Sequence, residues 1–170
     1  GAYGSPILVV PKPSGGWRVC TDLRKLNKQV EKMTWPMPKV DTMLASMSGG
    51  SFFSVLDLVM AYFQILIEEQ SRRYFGVSTP DGFYQYKRLP MGYVNSMAVF
   101  NRFLSGAMAG LQWQCMCLYV DDLVIWSPDP VQHLKDLRSV LTRLEEHGLV
   151  CKPKKCVFLT HEVPYLGHLV

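Results

Sequence analysis

The stretch Met116-Cys117-Leu118-Tyr119-Val120-Asp121-Asp122-Leu123-Val124-Ile125-Trp126 decides the fold of this 170-residue chain. Two apolar runs flank an acidic doublet, a pattern that predicts a β-hairpin with both carboxylates at its turn. Two like charges at one tip repel each other, so the doublet gives the fold no stability of its own. A bound divalent cation would remove that repulsion, because Mg²⁺ prefers carboxylate oxygens. A solvated acidic turn is the alternative for an Asp-Asp pair taken alone.

A third carboxylate lies upstream, in the apolar stretch Phe52-Phe53-Ser54-Val55-Leu56-Asp57-Leu58. A buried aspartate is costly unless it is paired or bound to a metal. If this strand lies beside the hairpin, three carboxylates converge, which is the ligand set for two Mg²⁺ ions about 3.5–4 Å apart in phosphoryl displacement. Such a site would activate an attacking 3′-hydroxyl and neutralise a leaving pyrophosphate. A helix cap or turn acid is the alternative for Asp57.

Composition indicates an ordinary globular chain, since 48% of residues are hydrophobic and 19% are charged. The length predicts one domain, or two lobes that share a core. The net charge of +4 is compatible with a polyanionic partner but does not prove one. Basic residues cluster near the start, in the middle and late in the chain: Lys12, Arg18, Arg24, Lys25 and Lys28; Arg72, Arg73, Lys87 and Arg88; Lys152, Lys154 and Lys155.

Five cysteines, an odd number without paired spacing, predict free thiols in a reducing intracellular compartment. Cys151, Cys156, His147 and His161 match no zinc-ligand spacing, so a zinc cluster is disfavoured. No apolar run is long enough to cross a bilayer, and the N-terminus lacks signal-peptide character, so no membrane partner is expected.

The first half of the chain is predicted to be rich in strands. Ser5 to Pro11 and Trp17 to Thr21 form a basic-tipped hairpin that could close over a phosphate-bearing ligand or simply lie at the surface. A short helix, Lys39 to Met47, follows two prolines and ends before Gly49-Gly50. Beyond Asp57, strands Arg73–Val77 and Phe83–Lys87 are joined by the turn Thr79-Pro80-Asp81-Gly82.

The second half adds two helices around the acidic hairpin. Residues 95–110 show helical periodicity. Asp129-Pro130 begins another helix that stops at Gly148, with a predicted buried stripe of Val131, Leu134, Leu137, Leu141 and Leu144. Short strands complete the chain. Helices grouped on one face of a largely antiparallel sheet make this an α+β fold.

The chain resembles the reverse transcriptase domain of LTR retrotransposons and retroviruses, most closely the gypsy class. The matching stretches run in family order over nearly the whole sequence: residues 5–12 (SPILVVPK), 17–28 (WRVCTDLRKLNK), 53–58 (FSVLDL), 89–92 (LPMG), 119–122 (YVDD) and 165–168 (YLGH). The resemblance implies an α+β fold of fingers (residues 1–41 and 65–95) and palm (42–64 and 96–170). It further implies an antiparallel palm sheet with helices on one face. Family members continue into a thumb, which is expected to be absent from these 170 residues.

The resemblance also implies roles for individual residues. The catalytic residues would be Asp57, Asp121, Asp122 and Lys155, and the metal ligands would be Asp57, Leu58, Asp121 and Asp122. The nucleotide would be bound by Lys12, Arg18, Ala61, Tyr62 and Met91. The primer or template would be bound by Gly92, Asn95, Ser96, Tyr119, Tyr165, Leu166, Gly167 and His168.

Each implied role has a physical reason and a simpler alternative. The ring of Tyr62 would exclude a ribose 2′-hydroxyl by steric clash, or it is a core aromatic. Lys12 and Arg18 would bind the incoming triphosphate, or they are solvated charges. Lys155 would protonate the departing pyrophosphate, although Lys154 is only one position away.

Two local departures from the family pattern stand out. Val59-Met60-Ala61-Tyr62 replaces the Arg-Ser-Gly-Tyr of many gypsy-class enzymes, and Ser96-Met97 replaces Ala-Pro or Ser-Pro, which could alter template packing.

The implied function is an RNA-directed DNA polymerase with two Mg²⁺ ions, for which Mn²⁺ could substitute. It would use dNTPs on an RNA or DNA template with a primer. The chain reads as a fragment of a polyprotein with thumb, connection, ribonuclease H, protease and integrase, working in a cytoplasmic virus-like particle. The alternative is a catalytically inactive nucleic-acid-binding or assembly module derived from such a polymerase.

Overall fold

The computed structural model describes residues 3–13, 15–120 and 122–170. These divide into two compact units, one of Gly1–Thr34 and Met60–Phe100 and the other of Trp35–Val59 and Asn101–Val170. In chain order the elements are β1 (Ser5–Pro11), β2 (Trp17–Thr21), α1 (Arg24–Asn27), α2 (Val40–Ser46), β3 (Phe52–Asp57), β4 (Gly76–Thr79), β5 (Gly82–Gln85), α3 (Ser96–Ala107), β6 (Met116–Tyr119), β7 (Asp122–Ser127), α4 (Pro130–Glu146), β8 (Val157–Thr160), β9 (Pro164–Tyr165) and β10 (His168–Leu169).

The first unit contains a four-stranded sheet in the order β2-β1-β4-β5. The hairpin of β1 and β2 is antiparallel and has the predicted bounds, whereas β1 and β4 are parallel. The predicted strands Arg73–Val77 and Phe83–Lys87 are shifted, since only Gly76–Thr79 and Gly82–Gln85 are extended. Glu69–Tyr74 instead forms a 3₁₀ helix, in which the Arg72 side chain donates to the carbonyl of Ile67.

The second unit is built on an entirely antiparallel sheet in the order β6-β7-β3-β8. Because side chains alternate along a strand, one face carries Phe53 and its partner Trp126. Two methionines of α2, Met43 and Met47, join these rings in one hydrophobic cluster. On the opposite face, α4 packs against β3 and β7.

The predicted start of helix α4 is confirmed, whereas its predicted buried face is only partly right. The carboxylate of Asp129 accepts hydrogen bonds from the N–H groups of Val131 and Gln132, and Pro130 occupies the first turn. However, Val131, Leu134 and Leu141 are 64, 59 and 39% exposed. The fully buried residues are His133, Val140 and Leu144, of which only Leu144 belongs to the predicted stripe, and Leu137 is half-buried. The predicted stripe omits His133, because a histidine carries no apolar signal in a helical pattern.

Strand β8 pairs irregularly with β3. The pairing shifts between Phe53 and Val55, and Leu159 has a left-handed backbone with φ of 51°. The N–H of Leu159 donates to the hydroxyl of Ser54 instead of a strand carbonyl. Such a bulge leaves β8 an interrupted edge of the sheet.

Helix α3 is shorter than the predicted 95–110, ending at Ala107, and its buried residues include Phe100 and Leu104. No helix within the described residues is long and apolar enough to cross a membrane.

Candidate active site

Two of the three predicted carboxylates meet across the sheet of the second unit. Asp57 ends β3, Asp122 begins β7, and the two residues are direct partners in the antiparallel pair. Directly opposed residues point to the same face, with Cβ atoms about 4.5–5.5 Å apart. The third, Asp121, lies outside the described residues. The strand adjacency expected from the apolar runs is thus observed.

Packing of the apolar residues fixes this register. Val55 opposes Val124 and Phe53 opposes Trp126, all on the face that carries Asp57. A slip of one residue would move Phe53 to the face that α4 covers and take Asp57 off the face that carries Asp122. The hydrophobic core therefore sets the position of the carboxylates.

The tip of the acidic hairpin has a strained backbone. Val120 follows β6 directly and has a φ of 59°, in the left-handed region. Tight hairpins need positive φ at their turn, which costs a residue with a Cβ roughly 1–2 kcal/mol. Strain of this kind is concentrated at functional sites.

A lysine of the second unit binds Asp57. Residues Pro153–Lys155 form a short 3₁₀ helix, and the preceding Lys152 N–H donates to the main-chain carbonyl of Asp57 at 2.8 Å. Lys155 Nζ then donates to Asp57 Oδ2 at 3.1 Å. Of the two candidate lysines, the structure therefore brings Lys155 to the carboxylate.

The thiol of Cys151, close to this turn, is a poor metal ligand. Burial is the main reason why the pKa of Cys151 is raised to about 11, with Cys156 and Asp57 adding to the effect. Cys151 is therefore protonated at neutral pH, whereas metals bind the thiolate. Among the described residues, no three His, Cys, Asp or Glu side chains form a group able to hold a metal.

The hairpin of β9 and β10 is anchored to the face of the sheet that carries the acids. Leu166 and Gly167 have φ of 53° and 80°, which matches a tight two-residue turn between paired Tyr165 and His168. Tyr165 is buried in the same hydrophobic cluster as Trp126, and its hydroxyl has no partner among the described residues. Burial, and then nearby Cys117, Asp122 and Tyr119, raise the pKa of this phenol.

Tyr119 is the partner of Asp122 at the base of the acidic hairpin and packs against the same cluster. His168 is exposed. Of the predicted primer-contacting side chains in this unit, His168 is accessible, whereas Tyr165 acts in packing.

The predicted nucleotide-binding residues of the first unit differ in exposure. Lys12 and Arg18 are exposed at the tip of the β1–β2 hairpin, where Arg18 opposes Val10. Met91 is also exposed, and Ala61 is buried. The ring of Tyr62 meets Phe100 edge-on, with centroids 5.6 Å apart, so its orientation is held by packing.

The predicted template residues Asn95 and Ser96 are buried and hold the backbone. The Asn95 side chain donates to the carbonyl of Glu31 and accepts from the N–H of Met33, at 2.9 Å each. The Ser96 hydroxyl donates to the carbonyl of Pro90 at 2.7 Å. Gly92 has a φ of 87°, a conformation that favours glycine.

Asn27, for which the sequence predicts no role, fixes the loop that contains Gly92. Its amide donates to the carbonyl of Gly92 at 2.8 Å, and its side-chain oxygen accepts from the N–H of Val94 at 2.9 Å. Asn27 stands in the matched stretch 17–28, but nothing in that stretch indicates a contact 65 residues away.

A buried polar chain in the second unit was also not foreseen. Ser127 Oγ donates to Asp136 Oδ2 at 2.6 Å, so it accepts from His133 Nδ1, 3.1 Å away. His133 Nε2 then accepts from Ser54 Oγ at 2.8 Å. Burial lowers the pKa of His133, against a smaller opposing effect of Asp136. The imidazole is therefore neutral, and it joins α4 to both strands that carry the acids.

Comparison with known proteins identifies related sequences. Residues 10–170 match the family described as reverse transcriptase (RNA-dependent DNA polymerase). The retrovirus-related Pol polyprotein from transposon 412 of Drosophila melanogaster is 36% identical over 172 residues, which cover 98% of this chain and 14% of the polyprotein. The chain therefore spans about one seventh of that relative.

Solved structures of a foamy viral protease-reverse transcriptase have the same fold. The complex with double-stranded DNA superposes with a TM-score of 0.88 at 28% identity, covering 98% of this chain and 29% of the viral one. The complex with an RNA/DNA hybrid gives 0.87 at 28% identity, covering 98% and 22%.

Proposed function

We propose that this chain, which belongs to the reverse transcriptase (RNA-dependent DNA polymerase) family, is the polymerase core of a retroelement polyprotein. In this proposal it adds deoxynucleotides to the 3′-hydroxyl of a primer paired with an RNA or DNA template. The observation that carries the proposal is the register that sets Asp57 opposite Asp122 on one face of the sheet. Nucleic acid in the two foamy viral complexes supports the proposed partner.

The carboxylates fit the divalent cations that this family uses. Asp57 and Asp122 offer hard oxygen donors from opposed positions, which suits Mg²⁺, with Mn²⁺ as a substitute. Asp57, Asp121, Asp122 and Leu58 would hold two such ions, Leu58 through its main-chain carbonyl because its side chain has no ligand atom. When bound, the ions would lower the pKa of the primer hydroxyl and offset the charge of the leaving pyrophosphate.

Other residues of the chain would bind and orient the nucleotide. Exposed Lys12 and Arg18 would hold triphosphate oxygens, with the planar guanidinium binding two at once. Tyr62, held against Phe100, would exclude a 2′-hydroxyl. Ala61 and Met91 would complete the nucleotide contacts, and Lys155 would give a proton to the pyrophosphate oxygen.

Primer and template would lie along Gly92, Asn95, Ser96 and Tyr119 and along the hairpin Tyr165-Leu166-Gly167-His168. The burial of Asn95, Ser96 and Tyr165 supports an indirect part for these three, in which they shape the backbone. In these terms residues 1–41 and 65–95 are fingers, and 42–64 and 96–170 are palm.

The proposal extends to partners and location. Thumb, connection, ribonuclease H, protease and integrase would complete the polyprotein, inside a virus-like particle in the reducing cytoplasm. Five free cysteines agree with that environment.

The first test replaces a proposed metal ligand. Asp57→Asn should lower the rate of Mg²⁺-dependent primer extension by about a thousandfold or more, because it removes charge that stabilises the transition state. Extension is measured with the chain joined to the thumb of a related polymerase. Circular dichroism should show an unchanged fold, and the exposed Asp81→Asn serves as the control. Extension at an undiminished rate would refute the proposal.

A non-catalytic nucleic-acid-binding module is the second candidate function. Carboxylates repel phosphates, so a pure binding surface would gain affinity from Asp57→Asn. The polymerase proposal requires extension to be lost, whatever happens to binding. Measuring both on one primer–template separates the two functions.

A further inference from the structure

We propose that Lys155 is a built-in counter-ion that binds the Asp57 carboxylate when no metal is present and must leave when a metal binds. The inference rests on the proposed function, in which Asp57 is a metal ligand. It assigns Lys155 a role in the metal-free protein, in addition to any part in proton transfer.

The negative charges of Asp57 and Asp122 favour a cation at this position. Asp57 and Asp122 are opposed on one face, and like charges in opposed positions repel. Lys155 Nζ lies 3.1 Å from Asp57 Oδ2 and forms an ion pair with it. A positive charge at this point offsets the repulsion that would otherwise act on the folded, metal-free sheet.

The main chain around Asp57 holds the lysine in place. Lys152 N–H donates to the Asp57 carbonyl at 2.8 Å, and Lys155 N–H donates back to Lys152 at 2.9 Å. Pro153 restricts the first position of this turn. The turn therefore returns Lys155, and not Lys154, to the carboxylate.

The ion pair is also easy to break. The Lys155 side chain is 58% exposed and that of Asp57 is 26% exposed. Exposed pairs gain little free energy, and the lysine stem is flexible. The amine can therefore swing into water without disturbing the turn.

Ammonium and metal cannot share the oxygen that Lys155 occupies. A Mg²⁺ ion needs carboxylate oxygens at about 2.0–2.1 Å in a nearly octahedral arrangement. An ammonium already bound to Oδ2 fills that space and repels the incoming ion. Metal binding therefore displaces Lys155 from Asp57, so the unpaired amine is more populated in the loaded site than in the metal-free one.

The first experiment compares the neighbouring lysines. Mn²⁺ affinity of the full chain without nucleic acid is measured by electron paramagnetic resonance for wild type, Lys155→Gln and Lys154→Gln. Loss of the competing ion pair should tighten binding about two- to fivefold in Lys155→Gln. Lys154→Gln removes the same charge one residue away, so it should change affinity less than twofold. Equal effects of the two variants would overturn the inference.

The second experiment follows release directly. An amine-acylating reagent is applied with and without saturating Mg²⁺, and labelling of each lysine is quantified by mass spectrometry. Mg²⁺ should raise the labelling rate of Lys155 at least twofold and leave Lys154 unchanged. In Asp57→Asn, Lys155 should be labelled fast with or without Mg²⁺. A labelling rate of wild-type Lys155 that is the same with and without Mg²⁺ would also overturn the inference.

The outcomes separate this inference from the proposed function. If Asp57→Asn abolishes extension but the labelling rate of Lys155 does not change with Mg²⁺, the polymerase proposal stands. The counter-ion role of Lys155 is then refuted. Asp57→Asn that extends primers normally removes both, because Asp57 would then not be a metal ligand.

Discussion

The hydroxyl of Tyr165 is buried and has no partner among the described residues. An unpaired buried polar group costs about 1–3 kcal/mol. Tyr165→Phe should therefore raise the free energy of unfolding by about 1 kcal/mol, as measured by urea denaturation. Tyr84→Phe, which alters an exposed ring, should have no effect. A loss of stability in Tyr165→Phe would mean that the hydroxyl is hydrogen-bonded.

His133 should make stability depend on pH. Its pKa is lowered in the folded protein, so the unfolded chain takes up the proton first as the pH falls. Stability should be constant above about pH 6.5, the value of a free histidine, and should fall from there toward the lowered pKa. Protonating Nε2 also makes it a donor, so Ser54 can no longer donate to it.

The variant His133→Gln separates the pH dependence caused by His133 from that caused by other groups. His133→Gln cannot titrate, so its unfolding free energy should not fall between pH 6.5 and 5 in urea denaturation, although its overall stability is lower. His161→Gln removes an exposed histidine and serves as the matched control. If His133→Gln retains the full slope, another group causes it.

Helix α4 shows what periodicity can and cannot predict. Its cap is encoded locally, because Asp129 binds the N–H groups only two and three residues ahead. Its buried face depends on partners far along the chain, such as Ser54, 79 residues from His133. Residues 133, 137, 140 and 144 also have helical spacing, but a histidine among them carries no apolar signal.

The corrected orientation of α4 is testable with two residues of the predicted stripe, Leu144 and Leu134, of which only Leu144 is buried. Leu144→Ala should cost about 2–5 kcal/mol, because it empties a buried position. Leu134→Ala, in the exposed stripe, should change stability by less than about 0.5 kcal/mol. Urea denaturation of both variants gives the comparison. Similar losses would restore the orientation expected from the sequence.

The strands of the candidate site were more predictable than its lysine. Apolar runs that end in acids predict strands near 52–57 and 116–126, and their register follows from which residues pack on each face. The choice between Lys154 and Lys155 depends on a contact across 98 residues of sequence. No local pattern encodes that contact, so only the folded turn decides it.

The chain as a polyelectrolyte should bind nucleic acid in a salt-dependent manner. Its net charge is +4, and Lys12 and Arg18 are exposed. Phosphate contacts release counterions, so the logarithm of affinity for a primer–template should fall linearly with the logarithm of salt concentration. Fluorescence anisotropy from 50 to 200 mM salt measures the slope, with sucrose as a neutral control. An affinity for the primer–template that does not change with salt concentration would contradict phosphate binding.

The irregular strand β8 has a consequence for crowded copies of the protein. Val157, Phe158 and Leu159 expose apolar side chains along a sheet border, where unpaired N–H and C=O groups invite amyloid-like stacking. The left-handed backbone at Leu159 interrupts the straight strand edge with which a strand of a neighbouring molecule would have to pair. At high concentration the irregular edge thus opposes aggregation of the chain, at the cost of one left-handed leucine.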